Sequence, residues 1–178
     1  MGHTLEIAPT GRSKCRGCSK AIERGAVRFG ERIPNPFAEG ETTLWFHPVC
    51  GAFKRPEPFL EALEITPDAA IDRTSLEAVA REGIAHRRLP RIDGAEPAPS
   101  GQAKCRHCRE TIERGSWRIR LVFFEDGMFS GGGFIHPRCR QEYFETGDIL
   151  QRVLHFSPDL NPGQKEELSA LLTPDGPS

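Results

Sequence analysis

The six cysteines of this 178-residue chain fall into two copies of one spacing pattern. Cys15-x2-Cys18 is followed, after 28 residues, by His47-x2-Cys50; Cys105-x2-Cys108 is followed, after 27, by His136-x2-Cys139. A lone C-x-x-C is shared by redox motifs and tight turns. Two such pairs, each closed at nearly the same distance by His-Pro-x-Cys, predict two tetrahedral Cys3His zinc sites. The two-residue gap lets a tight knuckle aim two thiolates at one ion, and the distant pair completes the tetrahedron. Four protein ligands leave no position open for water or substrate, so the two Zn2+ ions are expected to be structural. Disulfides would suit a small secreted chain, but they give no reason for a histidine to recur beside each third cysteine.

The repeat reaches beyond the ligands. GRSKCRGCSKAIERGAVRF aligns with GQAKCRHCRETIERGSWRI at an offset of 90, pairing Lys14 with Lys104 and Arg28 with Arg118. This is an internal duplication. The runs 26–33 and 116–124 alternate apolar with basic residues and read as strands. Return strands are expected to carry residues 44–47 and 133–136 into the third ligands, with Pro- and Gly-marked loops at 35–43 and 125–133 between them. Apolar-periodic stretches at 58–65 and 148–156, then helix candidates at 75–85 and 163–172, form a helical trailer to each finger. The expected architecture is therefore small α+β zinc-bound domains, each a zinc-stapled β-hairpin or sheet with a helical C-terminal trailer. Boundaries fall at 1–90 for the first finger and 102–178 for the second. Between them, 91–101 has the Pro, Ala, Gly and Ser content of a flexible or extended linker.

Hydrophobic residues make up 37% of the chain, with 18 Gly and 15 Pro, a thin core that bound metal can supplement with folding free energy. The formal charge of -1 excludes a uniformly basic coat, yet it is unevenly divided. Residues 1–56 carry +4 and 96–144 carry +2, whereas 57–95 carry -3 and 145–178 carry -4. Each Zn2+ held by three thiolates and a neutral His adds a further -1. No run approaches the roughly 18 apolar residues of a membrane span, and the opening MGHTLEIAPT lacks a secretory signal's apolar core, so an intracellular protein without a membrane partner is expected. No Ser-His-Asp set, phosphate loop or open metal site is visible, which argues against an enzyme and against a small-molecule substrate. His107 sits where the first copy has Gly17, and His3, His86 and His155 lack ligand-spaced partners; all four read as surface or packing residues.

The Gly11-Arg-x-x-Cys-x-x-Cys opening and the Trp45-aromatic-His-x-x-Cys closing resemble the PARP-type zinc finger of poly(ADP-ribose) polymerases and nick-sensing DNA ligases. The resemblance implies a tandem pair of such fingers that binds DNA strand breaks (nicks, gaps and ends), through phosphate contacts and an apolar residue capping the exposed base face. Carried over by position, Arg12 and Arg28 are the phosphate grips of the first finger and Phe37 its cap; in the second, Arg118 matches Arg28, and Met128 or Phe129 lies in the capping loop. The second copy departs from the pattern at Gln102 and at Phe134-Ile135. A role in DNA damage recognition or repair, a repair-enzyme partner and a DNA-associated location in nucleus or nucleoid follow as implications. The competing reading is a protein-interaction adaptor whose zinc fingers are purely structural, favoured by the acidic trailers.

Overall fold

Alternation along the residues after the first knuckle sets the first sheet. In the computed structural model, which describes residues 2–173, β1 (Thr4–Ile7), β2 (Val27–Pro34) and β3 (Glu41–Phe46) pair antiparallel in that order. Leu5 pairs with Phe29 and Phe29 with Phe46, while Glu6 pairs with Arg28 and Gly30 with Trp45. Period two sends Phe29 and Glu31 to one face and Arg28 and Gly30 to the other.

The inner face meets two helices, on which a third packs. α1 (Pro48–Lys54) begins directly after His47 with proline in its first turn, α2 (Pro56–Ile65) starts the same way, and α3 (Arg73–Ala85) is capped by Asp72, whose carboxylate accepts from Ser75 N. Phe29, Phe46 and Phe59 are fully buried; Phe29 stacks on Phe46 at 5.6 Å and meets Phe59 edge-on at 5.4 Å. Each such ring contributes roughly 1.5–3 kcal/mol on burial. Glu31 also faces inward, and Arg55, between α1 and α2, grips it with two nitrogens at 2.6 and 2.9 Å. That bidentate pair fixes the helical trailer to β2.

The second repeat forms β4 (Ile92–Pro97), β5 (Trp117–Glu125) and β6 (Met128–Ile135), again in sequence order. β4 lies in the segment whose composition reads as a linker. Its place in the sheet follows from the duplication: at an offset of 90, Leu5, Glu6 and Ala8 correspond to Ala95, Glu96 and Ala98, and all three alanines are buried. β5 and β6 are joined at Asp126-Gly127, both with positive φ (51° and 77°), as in a type I′ hairpin. The strand therefore resumes at Met128, inside the stretch 125–133 that sequence reads as loop.

α4 (Arg140–Phe144), α5 (Leu150–His155) and α6 (Pro162–Leu172) complete this half, α6 opening on a reciprocal Asn161/Gln164 capping box. Ile119, Ile135, Val153 and Leu168 are fully buried there. The chain makes two compact units: one runs to Pro90 and includes Phe124–Phe129, the other comprises Arg91–Phe123 and the chain from Ser130 onward.

Candidate metal centres and the aromatic face beside them

Each knuckle is a tight turn closed by backbone bonds. Cys15 N donates to Lys20 O and Ser19 N to Cys15 O; Cys105 N donates to Glu110 O and Arg109 N to Cys105 O. The residue after the second cysteine takes positive φ in both, 66° at Ser19 and 69° at Arg109. The return strand then delivers a histidine whose successor, proline, starts the next helical turn and places the last cysteine three residues on.

The four ligand atoms of Cys15, Cys18, His47 and Cys50 lie within 4.8 Å of one another, as do those of Cys105, Cys108, His136 and Cys139. A zinc tetrahedron with ordinary Zn–S and Zn–N bonds has edges of about 3.5–3.8 Å. His47 Nδ1 is 3.3 Å from Cys18 Sγ and 3.9 Å from Cys50 Sγ, and His136 Nδ1 is 3.3 Å from Cys108 Sγ. Each imidazole is oriented from behind: Nε2 of His47 lies 3.1 Å from Ala21 O, and Nε2 of His136 lies 3.3 Å from Thr111 O. A carbonyl can only accept, so each Nε2 carries the proton and Nδ1 offers its lone pair to the metal.

The sulfurs are prepared for a cation too. A hydrogen bond with Cys50, followed by the backbone N–H groups of Cys18, His47 and Gly17, outweighs burial and holds the Cys15 thiol down to about 4. Burial pushes Cys105 up, but the backbone N–H groups of Cys108, His136 and His107 overcome it and hold that thiol down to about 6. Cys50 is pushed up by its bond with Cys15 and by burial, Cys18 by burial, and Cys139 by burial and the neighbouring Cys105 charge, up to about 12. Negative charge crowded into a partly buried cluster is relieved by a dication. The residues fit two structural Zn2+ ions, which would supply cross-linking of knuckle to helix with no open coordination position.

Beside each centre, the outer face of the sheet carries a layered stack. Arg28 is 8% exposed, its guanidinium 3.5 Å from the Trp45 ring centroid, with Nη1 donating to Ser13 Oγ at 2.9 Å and Nη2 paired with Glu6 at 3.2 Å. Gly30 makes room for this: a Cβ there would stand 2.6 Å from Trp45 Cζ3. The second copy repeats the arrangement, Arg118 lying 3.6 Å from the Phe134 centroid and 2.7 Å from Glu96. Among the described residues, the Nε of both arginines is buried without a hydrogen-bond partner. Arg28 and Arg118 are thus committed to their own units. Arg12, by contrast, is exposed, as are Lys14, Arg16, Lys20 and Arg24 around the first knuckle.

Phe37 is 84% exposed, on a loop held by two bonds at Asn35: its side chain accepts from Phe37 N and its backbone N–H donates to Gly40 O, both at 2.9 Å. Met128 is 54% exposed. Phe129 instead packs edge-on against Phe46 at 6.2 Å, with Lys54 Nζ 5.4 Å from its centroid. His107 is exposed and meets Tyr143 edge-on at 6.3 Å, a packing contact at the position where the first copy has Gly17. Trp45, central to this outer face, is a residue that motif reading registers only as a signature. The signal for it is the period-two placement of Arg28 and Gly30 opposite Phe29, together with the recurrence of Glu6 as Glu96.

No helix among the described residues is long and apolar enough to cross a membrane. Residues 6–85 match the family model described as the poly(ADP-ribose) polymerase and DNA-ligase Zn-finger region. The chain is 28% identical to the poly [ADP-ribose] polymerase of Sarcophaga peregrina, across 94% of this chain and 20% of that protein. It is 35% identical to poly [ADP-ribose] polymerase 1 of Gallus gallus, across 77% of this chain and 15% of that protein. It therefore spans a fifth or less of the length of these relatives. Residues 6–85 thus form a zinc-finger region of the PARP type, and the chain carries two Cys3His metal sites, the second assembled at Cys105–Cys139.

Proposed function

We propose that the protein is a zinc-dependent reader of DNA strand breaks, acting in DNA damage recognition or repair alongside a repair enzyme. The observation that carries this reading is Phe37, a large apolar side chain 84% exposed on a loop that Asn35 holds in shape. An intact duplex hides its base faces by stacking, whereas a break leaves one open, and an aromatic ring on it gains roughly 1–3 kcal/mol. Because the loop is pre-shaped, little of that gain goes to ordering it.

Phosphate contacts supply the rest of the affinity and no sequence information. In the first finger, with its +4 charge over residues 1–56, the exposed Arg12, Lys14 and Arg16 suit that role. Arg28 supports it indirectly, by backing Trp45. In the second finger Gln102 replaces Arg12, Arg118 is committed to Glu96, and Phe129 is packed, which favours a supporting role with Met128 as its exposed apolar contact.

The test is binding of zinc-loaded protein to nicked and covalently closed circular duplexes at two salt concentrations. The nicked circle is expected to bind at least tenfold more tightly, with Phe37→Ala removing most of that preference while its unfolding midpoint stays at the wild-type value. Equal affinity for the two circles would sink the proposal.

A further inference from the structure

We infer that the first unit holds a pocket for one unpaired nucleotide, built from Trp45 and Met128 with Lys14 and Arg16 at its rim. A cavity of about 570 Å³ lies within that unit, lined by Ser13, Lys14, Arg16, Thr43, Trp45 and Met128 among others. Its chemistry is divided in the way a nucleotide is divided. The indole and the thioether are flat or adaptable apolar partners for a base. The two exposed cations suit a phosphate, and the hydroxyls of Ser13 and Thr43 can donate to or accept from sugar and base edges.

Trp45 is pre-set for stacking. It is held from one side by Arg28 at 3.5 Å, and Arg28 is itself fixed by Glu6 and Ser13. A guanidinium over one face of an indole leaves the opposite face for another π system, and little rotamer freedom is left to lose when a base arrives. Met128 is 54% exposed directly after the Asp126-Gly127 turn, where it can close on a base, and Phe129, packed on Phe46, lines the same cavity.

The setting rests on the break-reading proposal: a strand break is where a nucleotide can leave the stack. The pocket lies at Trp45 and is a different element from the Phe37 tip. One face would cap the duplex end while the other takes the displaced nucleotide.

Trp45 and Trp117 are the two tryptophans of the chain, so Trp117→Phe makes Trp45 the single indole reporter. The zinc-loaded full chain carrying that change is titrated with a deoxythymidine trinucleotide, and separately with nicked duplexes that are flush or bear a one-nucleotide 5′ flap. Expected are saturable quenching of Trp45 by the trinucleotide, and about tenfold tighter binding of the flapped than of the flush nick, the size of one base–aromatic stack. Met128→Ala and Lys14→Ala should each weaken trinucleotide binding five- to tenfold. Unquenched Trp45, or trinucleotide affinity unchanged in both variants, overturns the pocket. If nicked and closed circles bind alike yet the trinucleotide saturates, the break reading fails and the pocket stands; the converse result removes only the pocket.

Discussion

Arg28 separates a packing role from a ligand-gripping one, and Arg28→Met is the change that does so. Methionine keeps most of the stem's volume and removes the guanidinium. The stack on Trp45, 3.5 Å away and mostly desolvated, is worth about 1.5 kcal/mol. The charged hydrogen bond to Ser13 at 2.9 Å adds about 1.5 kcal/mol. Glu6 is 45% exposed and returns to water when unpaired, so its ion pair is discounted for screening to about 0.5 kcal/mol. Against these stands the unpartnered Nε, whose desolvation penalty of about 1 kcal/mol disappears with the group. The net expectation is a loss of about 2.5 kcal/mol in the stability of the first unit. Urea denaturation of zinc-loaded protein, followed by Trp45 fluorescence in the Trp117→Phe background, reads it directly. Stability within 0.5 kcal/mol of the parent, accompanied by a tenfold or greater loss of DNA affinity, would refute the reasoning and make Arg28 a phosphate contact.

Two further outcomes follow from the same physics. Metal content should be two zinc ions per chain, and chelation should abolish cooperative unfolding of both units; a stoichiometry near one would contradict one of the two Cys3His clusters. Glu96 is pushed up by burial, but hydrogen bonds from Arg118 and Arg120 outweigh this and hold it below the usual carboxylate value. A depressed native pKa means that the stabilisation is complete above the unfolded-state value and is lost as pH falls through the native one. The advantage of wild type over Glu96→Gln, roughly 2 kcal/mol for a carboxylate about a quarter exposed, should therefore be flat from pH 8 to about 5.5 and shrink below about 4.5. An advantage that grows with acid would reverse the sign and refute the assignment. Because both proteins hold the same zinc sites, acid release of metal affects them alike and cancels in the difference.

The metal centres were readable residue by residue, because zinc chemistry imposes donor types and spacing that few other constraints would repeat twice. The strands after each knuckle and the trailer helices were readable too, from periodicity. β4 was hidden by composition: Ala95 and Ala98 bury too little to mark a strand, and only the sheet's need for a third strand, together with the repeat, places them. Glu31 with Arg55 could not be seen either, since a buried carboxylate and its partner lie 24 residues apart and each alone looks like a surface charge.

The sequence by itself determined that this chain folds around two Cys3His sites in a duplicated α+β unit, since coordination chemistry is local and written in residue identity. Only the tertiary structure decided where the arginines and aromatics stand. Arg12 and Arg28 look alike in a string of letters, but one stands in water and the other lies under Trp45. Phe37, Phe129 and Trp45 are three aromatic residues, of which one is exposed, one packs edge-on against Phe46 and one lies against the Arg28 guanidinium. Exposure and stacking are set by what folds across each side chain, a quantity that depends on every other segment and that no local pattern contains.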